Sequence, residues 1–122
     1  MTSRPNVLVC DDEPNLRELI RVSLGPDYVV HEAEDGEEAL ALAHALEPEL
    51  VILDLMMPRL NGFDVLAKLK ADPALARTRI LVVTAQPASE EEAREKGADG
   101  VIVKPFAPED LAELAAALVE TP

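Results

Sequence analysis

Five short apolar runs, each followed by a stretch with helical spacing, constrain this chain more than any other feature. The runs cover residues 6–10, 28–33, 51–54, 80–84 and 100–104, and Val, Ile and Leu dominate most of them. Continuous apolar strands without polar alternation are buried on both faces, as in a parallel sheet covered by helices. The stretches between them supply those helices. Pro14, with Asp12 ahead of it as a cap, opens a helix with a stripe of Leu16, Leu19, Ile20, Ser23 and Leu24, which Gly25 and Pro26 stop. Asp35 and Glu38, three apart, form a capping box before Ala39, Leu40, Leu42, Ala43 and Leu46, and Pro48 closes that helix. A third helix is expected over residues 63–71, with Phe63, Leu66 and Leu69 or Val65 facing inward. A last one begins at Pro108 and carries Leu111, Leu114, Ala115, Leu118 and Val119. The fold class is therefore α/β, with a parallel five-stranded sheet between helices.

The 122 residues suffice for one domain with one core, residues 1–122. Phe63, Phe106 and Tyr28 are the only aromatics, so that core must be aliphatic. A net charge of −13 argues against nucleic acid or anionic membrane as a partner and favours a cation or a basic surface. Cys10 is the single cysteine and reads as a small core residue. His31 is expected to point outward, with nothing nearby at metal-ligand spacing, and His44 to lie on a helix surface. With no leader-like or membrane-length apolar segment, a cytoplasmic location is expected.

Chemistry gathers where the strands end. Asp11 and Asp12 follow the first run, Asp54 ends the third between Pro48 and Pro58, Thr84 ends the fourth and Lys104 the fifth. Right-handed crossovers in a parallel sheet bring all those ends to one edge. Three carboxylates in one place repel, and a hard divalent cation such as Mg²⁺ relieves the repulsion. A carboxylate nucleophile, a metal, an ammonium and a hydroxyl are the parts of a phosphoryl-transfer site. Asp54 would attack phosphorus, Lys104 would neutralise charge on its oxygens, and the Thr84 hydroxyl would hydrogen-bond to one of them.

Over nearly its whole length the chain resembles a receiver domain of two-component response regulators, of the chemotaxis-regulator type. The resemblance rests on Val9 to Glu13, on Leu53 to Met57 with Pro58 and Gly62, on Thr84 with Ala85, and on Lys104, Pro105 and Phe106. It implies the flavodoxin-like strand order 2-1-3-4-5. It also implies that Asp54 accepts a phosphoryl group from a sensor histidine kinase or phosphotransfer protein. Mg²⁺ would be held by Asp12, Asp54 and the Met56 carbonyl, with Asp11 acting mainly through a water. A cis bond before Pro105 is implied too, as are Met56 and Gln86 flanking the site and setting the phosphate lifetime. Asn15, Leu16, Leu19, Pro105 and Phe106 correspond to the family's kinase-docking face, although Leu19 is expected in the core as part of the helical stripe. The output would be a conformational change read by a downstream protein.

Other classes fit less well. A Mg²⁺-dependent aspartate-nucleophile hydrolase wants an Asp-x-Asp after the first strand and a cap over its substrate, but here the pair is adjacent and the chain has no room for a cap. A flavin or nucleotide module wants a glycine-rich loop where Asp11, Asp12 and Glu13 stand. A stand-alone receiver is expected because no linker begins before Pro122, the alternative being the receiver portion of a longer regulator with its own output domain.

Two places depart from the family pattern. Ser89 and Glu92 look like a capping box for a fourth helix whose body, residues 90–96, offers only Ala93 as an apolar side chain before Gly97 ends it. Such a helix is expected to pack weakly and to carry the response by ordering or shifting, the plainer account being a rigid, solvated charged helix. Val101 stands where the family usually has an aromatic residue, three before the lysine. A β-branched valine is small and stiff at χ1, so no aromatic rotamer switch can operate. Isotope-edited spectra with and without a phosphate mimic should show little rotamer change at Val101; a large change would contradict this.

Overall fold

Burial on both sheet faces is what turns the apolar runs into a central sheet. The computed structural model describes residues 4–57 and 61–120. Among them the order is β1 (Asn6–Cys10), α1 (Pro14–Leu24), β2 (Val29–Ala33), α2 (Gly36–Leu46), β3 (Leu50–Asp54), α3 (Gly62–Ala71), β4 (Arg79–Thr84), α4 (Glu90–Glu95), β5 (Gly100–Val103) and α5 (Pro108–Glu120). The strands lie in the order β2-β1-β3-β4-β5, every neighbouring pair parallel. This is the order the resemblance implied.

Alternate residues of each strand enter opposite cores. Val7, Val9, Leu50, Ile52, Leu81 and Val83 pack with Ile20 and Leu24 of α1 and with Leu111 and Ala115 of α5. Leu8, Cys10, Val51, Leu53, Ile80 and Val82 pack on the other face with Ala39 and Ala43 of α2, with Val65, Leu66 and Leu69 of α3, and with Ala93 of α4. Burying one such aliphatic side chain contributes about 1.5–3 kcal/mol. All five residues of β3 are buried, so its terminal Asp54 is carried on the most enclosed strand. Phe63, Phe106 and Tyr28 sit at the margins of the two cores, which are aliphatic as expected.

The register sets where the strands end. Cys10 lies beside Leu53, Asp54 beside Val83, and Thr84 beside Val103. The residues at or just after these positions therefore share one edge.

Several local expectations need correction. Asp12 does not cap α1: Glu13 holds that position without a side-chain bond, and its N–H donates to Asp11 Oδ1 at 2.9 Å. The inward stripe of α1 reads Arg17, Ile20 and Leu24, which turns Leu19 outward to 40% exposure and leaves Ser23 to bond the Leu19 carbonyl at 2.7 Å. The Ser89 box does not form, because residues 87–89 already wind as a 3-10 turn and Ser89 makes no side-chain cap. The fourth helix is as short as expected, and Ala93 is its one buried residue. Asp35 does accept from Glu38 N–H at 2.9 Å, while the Glu38 carboxylate reaches back to the N–H of Glu34 at 2.7 Å. His44 is on the surface but pairs with Asp72 at 2.7 Å, and His31 bonds Asn6 at 3.1 Å. Pro58, expected to end the third run, lies outside the described residues.

One glycine is required by close approach. A Cβ on Gly62, at the start of α3, would lie 2.5 Å from the Leu55 carbonyl oxygen and 2.8 Å from its carbon. Backbone cannot give way as a flexible side chain can, and overpacking of this kind costs about 1–3 kcal/mol. Gly62→Ala should lower the urea midpoint by a corresponding amount; an unchanged midpoint would show that α3 and the residue after β3 do not meet as described.

Candidate acidic site at the strand ends

The site is built from Asp54 outward. Its carboxylate is buried, with 3% of the residue exposed. Oδ1 accepts the Met56 N–H at 3.0 Å, and Oδ2 lies 3.4 Å from Lys104 Nζ. A buried carboxylate without such partners would be strongly disfavoured. Lys104 itself is placed by β4, because its N–H donates to the Thr84 carbonyl at 2.8 Å. The Lys104–Pro105 bond is cis, as the resemblance implied.

Asp11 continues the β1–β2 ladder, donating its N–H to Ala33 at 3.1 Å. Oδ1 is taken by the Glu13 N–H. Oδ2 is buried with no hydrogen-bond partner among the described residues, and Lys104 Nζ is 3.9 Å away. Asp12 is exposed, yet Asp11, Asp12 and Asp54 each offer an oxygen within 4.8 Å of the others. Three carboxylates with mutually close oxygens, one of which also carries a buried oxygen unbonded among the described residues, are a donor set that suits a hard divalent cation. Met56 enters the site through its N–H, while its side chain stays exposed.

Thr84 is also buried, but its hydroxyl faces the following loop. Oγ1 accepts the Gln86 N–H at 3.0 Å and donates to the Gln86 carbonyl at 3.4 Å. On one side of the acidic group Asp12, Met56, Gln86 and Ser89 line a cleft together with Phe63. On the other, all five residues of the expected docking face, Asn15, Leu16, Leu19, Pro105 and Phe106, line one groove with Glu13 and Lys104. The exposure of Leu19 that removes it from the core is what places it in that groove.

The apolar stripe of α1 does not single out Arg17, which the structure buries. It is a largely buried cation whose Nη1 donates to the Asp11 carbonyl at 2.8 Å and whose Nε donates to Glu32 at 2.8 Å. Its signal was present in the spacing, since residues 17, 20 and 24 follow one helical face.

The model of the response regulator receiver domain matches residues 7–116. The nitrate/nitrite response regulator protein NarL of Escherichia coli is 39% identical over 108 residues, 86% of this chain and 50% of that protein. The DNA-binding response regulator MtrA of Mycolicibacterium smegmatis is 38% identical over 113 residues, 90% of this chain and 48% of that protein. The chain thus spans about half the length of the curated relatives it matches. Among solved structures, the chemotaxis response regulator CheY4 of Vibrio cholerae superposes with a TM-score of 0.88 at 32% identity, covering 95% of this chain and 99% of that one. No helix among the described residues is long and apolar enough to cross a membrane.

Burial pushes the Asp11 carboxyl up to about 7; the Glu13 N–H opposes the shift, Asp54 adds to it and Lys104 opposes it. A carboxyl raised in the folded state binds more protons folded than unfolded between the ordinary carboxylate range and neutrality. Its stabilising contribution is full in acid and is lost as pH rises through that window. In metal-free buffer the Asp11 carboxyl carbon should titrate well above the ordinary range, and Asp11→Asn should flatten the decline in stability from pH 4 to 7. A carboxyl midpoint near 4 would contradict this account of the pocket.

Proposed function

The chain belongs to the response regulator receiver domain family, and on that premise we propose that Asp54 is its phosphoacceptor. The observation that carries the reading is a buried Asp54 carboxylate 3.4 Å from Lys104 Nζ, with carboxylate oxygens of Asp11 and Asp12 within 4.8 Å. An Asp54 oxygen attacks the phosphorus of a phosphohistidine on a sensor kinase or phosphotransfer protein. The new O–P bond forms as the P–N bond breaks, and the electron pair of that bond stays on the imidazole nitrogen, which takes up a proton. Lys104 bears on the oxygens of the transferred group from the same side as Asp54 Oδ2. Asp11, Asp12, Asp54 and the Met56 carbonyl would hold Mg²⁺, which supplies positive charge against the phosphoryl oxygens. The rest is positioning by a site already folded.

The Thr84 hydroxyl gives the readout. It would exchange its 3.4 Å bond to the Gln86 carbonyl for one to a phosphoryl oxygen, which pulls on the loop between β4 and α4. Without an aromatic at Val101 the change passes through that loop and the short α4 to a downstream protein. Met56 and Gln86, at the mouth of the cleft, would govern how readily water reaches the aspartyl phosphate. The groove of Asn15, Leu16, Leu19, Pro105 and Phe106 would seat the kinase. In this role the protein is a switch that promotes its own phosphorylation and hydrolysis. A second reading is favoured by the relatives' lengths: a regulator of their design would route the same change into an attached output domain.

Incubation with Mg²⁺ and a small phosphodonor, followed by intact mass measurement, tests the proposal. The wild type should gain one phosphoryl group only when Mg²⁺ is present, and Asp54→Ala should gain none. No gain from either a small donor or a cognate kinase, or an equal gain in Asp54→Ala, would overturn it.

A further inference from the structure

Arg17 is expensive to bury, and its bonds go to a particular place. Charged side chains are rarely enclosed unless paired and fully bonded. Arg17 divides its guanidinium between Glu32 on β2 and the carbonyl oxygen of Asp11, at 2.8 Å each. That carbonyl belongs to the peptide joining Asp11 to Asp12, so one fixed peptide plane lies between two of the three clustered carboxylates. Arg21 pairs with the same Glu32 through Nε at 3.2 Å and Nη2 at 2.5 Å, from a more exposed position. Both arginines therefore tie α1 to the edge of the sheet through Glu32, and only Arg17 also reaches the acidic site. Glu32 sits beside Val9 in the β1–β2 register, which anchors the pair to the strand that delivers Asp11.

We infer that Arg17 is a positioning residue for the acidic site: it fixes the Asp11–Asp12 peptide so that both carboxylates converge with Asp54. The inference rests on the reading of those three residues as the metal-holding group. Removing an outer partner that orients metal ligands characteristically weakens metal binding by one to two orders of magnitude. Arg17 acts through backbone, and its loss is expected at the lower end of that range.

The experiment uses Mn²⁺ as the probe, read by water-proton relaxation, with Arg17→Met, Arg17→Lys and Arg21→Met beside the wild type. Arg17→Met should bind Mn²⁺ about tenfold more weakly, and Arg21→Met should bind as the wild type does. In metal-free protein, the carbonyl ¹³C shift of Asp11 should move in Arg17→Met and stay in place in Arg21→Met. Arg17→Lys keeps the charge without the two-way fork, so it should also lose affinity, and it carries the test if Arg17→Met does not fold. Wild-type affinity in both Arg17 variants would overturn the inference. So would equal losses in Arg17→Met and Arg21→Met, which would reduce both arginines to a structural tie. If the wild type itself binds no Mn²⁺, the metal reading of the three carboxylates fails first and the inference fails with it.

Discussion

Everything at the upper edge of the sheet depends on holding several carboxylates closer together than they would choose to be. Asp11 and Asp54 are buried and Asp12 is adjacent, and unit charges a few ångströms apart repel by several kcal/mol in a partly buried setting. The fold answers with one ammonium, Lys104, facing two of the three, and with backbone N–H groups from Glu13 and Met56. Among the described residues these leave one buried oxygen of the group, Asp11 Oδ2, without a hydrogen bond. The pocket is thus compensated in part, and the remainder is an appetite for positive charge. On the proposed reading, a cation bound there would relieve the added negative charge of a phosphoryl group.

The sheet converts sequence separation into this proximity. Asp11, Asp54, Thr84 and Lys104 are spread over most of the chain, but parallel strands with helical crossovers return each strand end to the same edge. Asp54 rides on the strand that is buried throughout, and Lys104 is tied by its backbone to Thr84. Rigidity there is a condition for catalysis by positioning. The neighbouring β4–α4 segment is packed more lightly: Thr84 bonds its own loop and α4 has a single buried residue.

Much of this was legible in the residues. Apolar runs ending in Asp, Asp, Thr and Lys are a pattern with few folded solutions, and the strand boundaries differ from those runs by at most one residue. What sequence periodicity could not settle was rotation. On α1 the Leu16–Leu19–Ile20 stripe and the Arg17–Ile20–Leu24 face differ by a fraction of a turn, and an arginine on the inner face runs against the composition rule. Its burial depends on a carbonyl and a carboxylate supplied by other elements, which no local pattern records. The cap at Ser89 failed for a related reason: the preceding Pro87 already starts a turn, so the serine is inside the winding rather than ahead of it.

The central claim is that one of three clustered carboxylates, Asp54, receives the phosphoryl group. Acyl phosphates are reduced by borohydride to the alcohol, which marks the modified side chain permanently. The direct measurement is to phosphorylate the wild type in Mg²⁺, reduce it, digest it and locate the converted residue by mass spectrometry. Conversion is expected at Asp54 alone; conversion at Asp11 or Asp12, or at no aspartate, would contradict Asp54 as the phosphoacceptor.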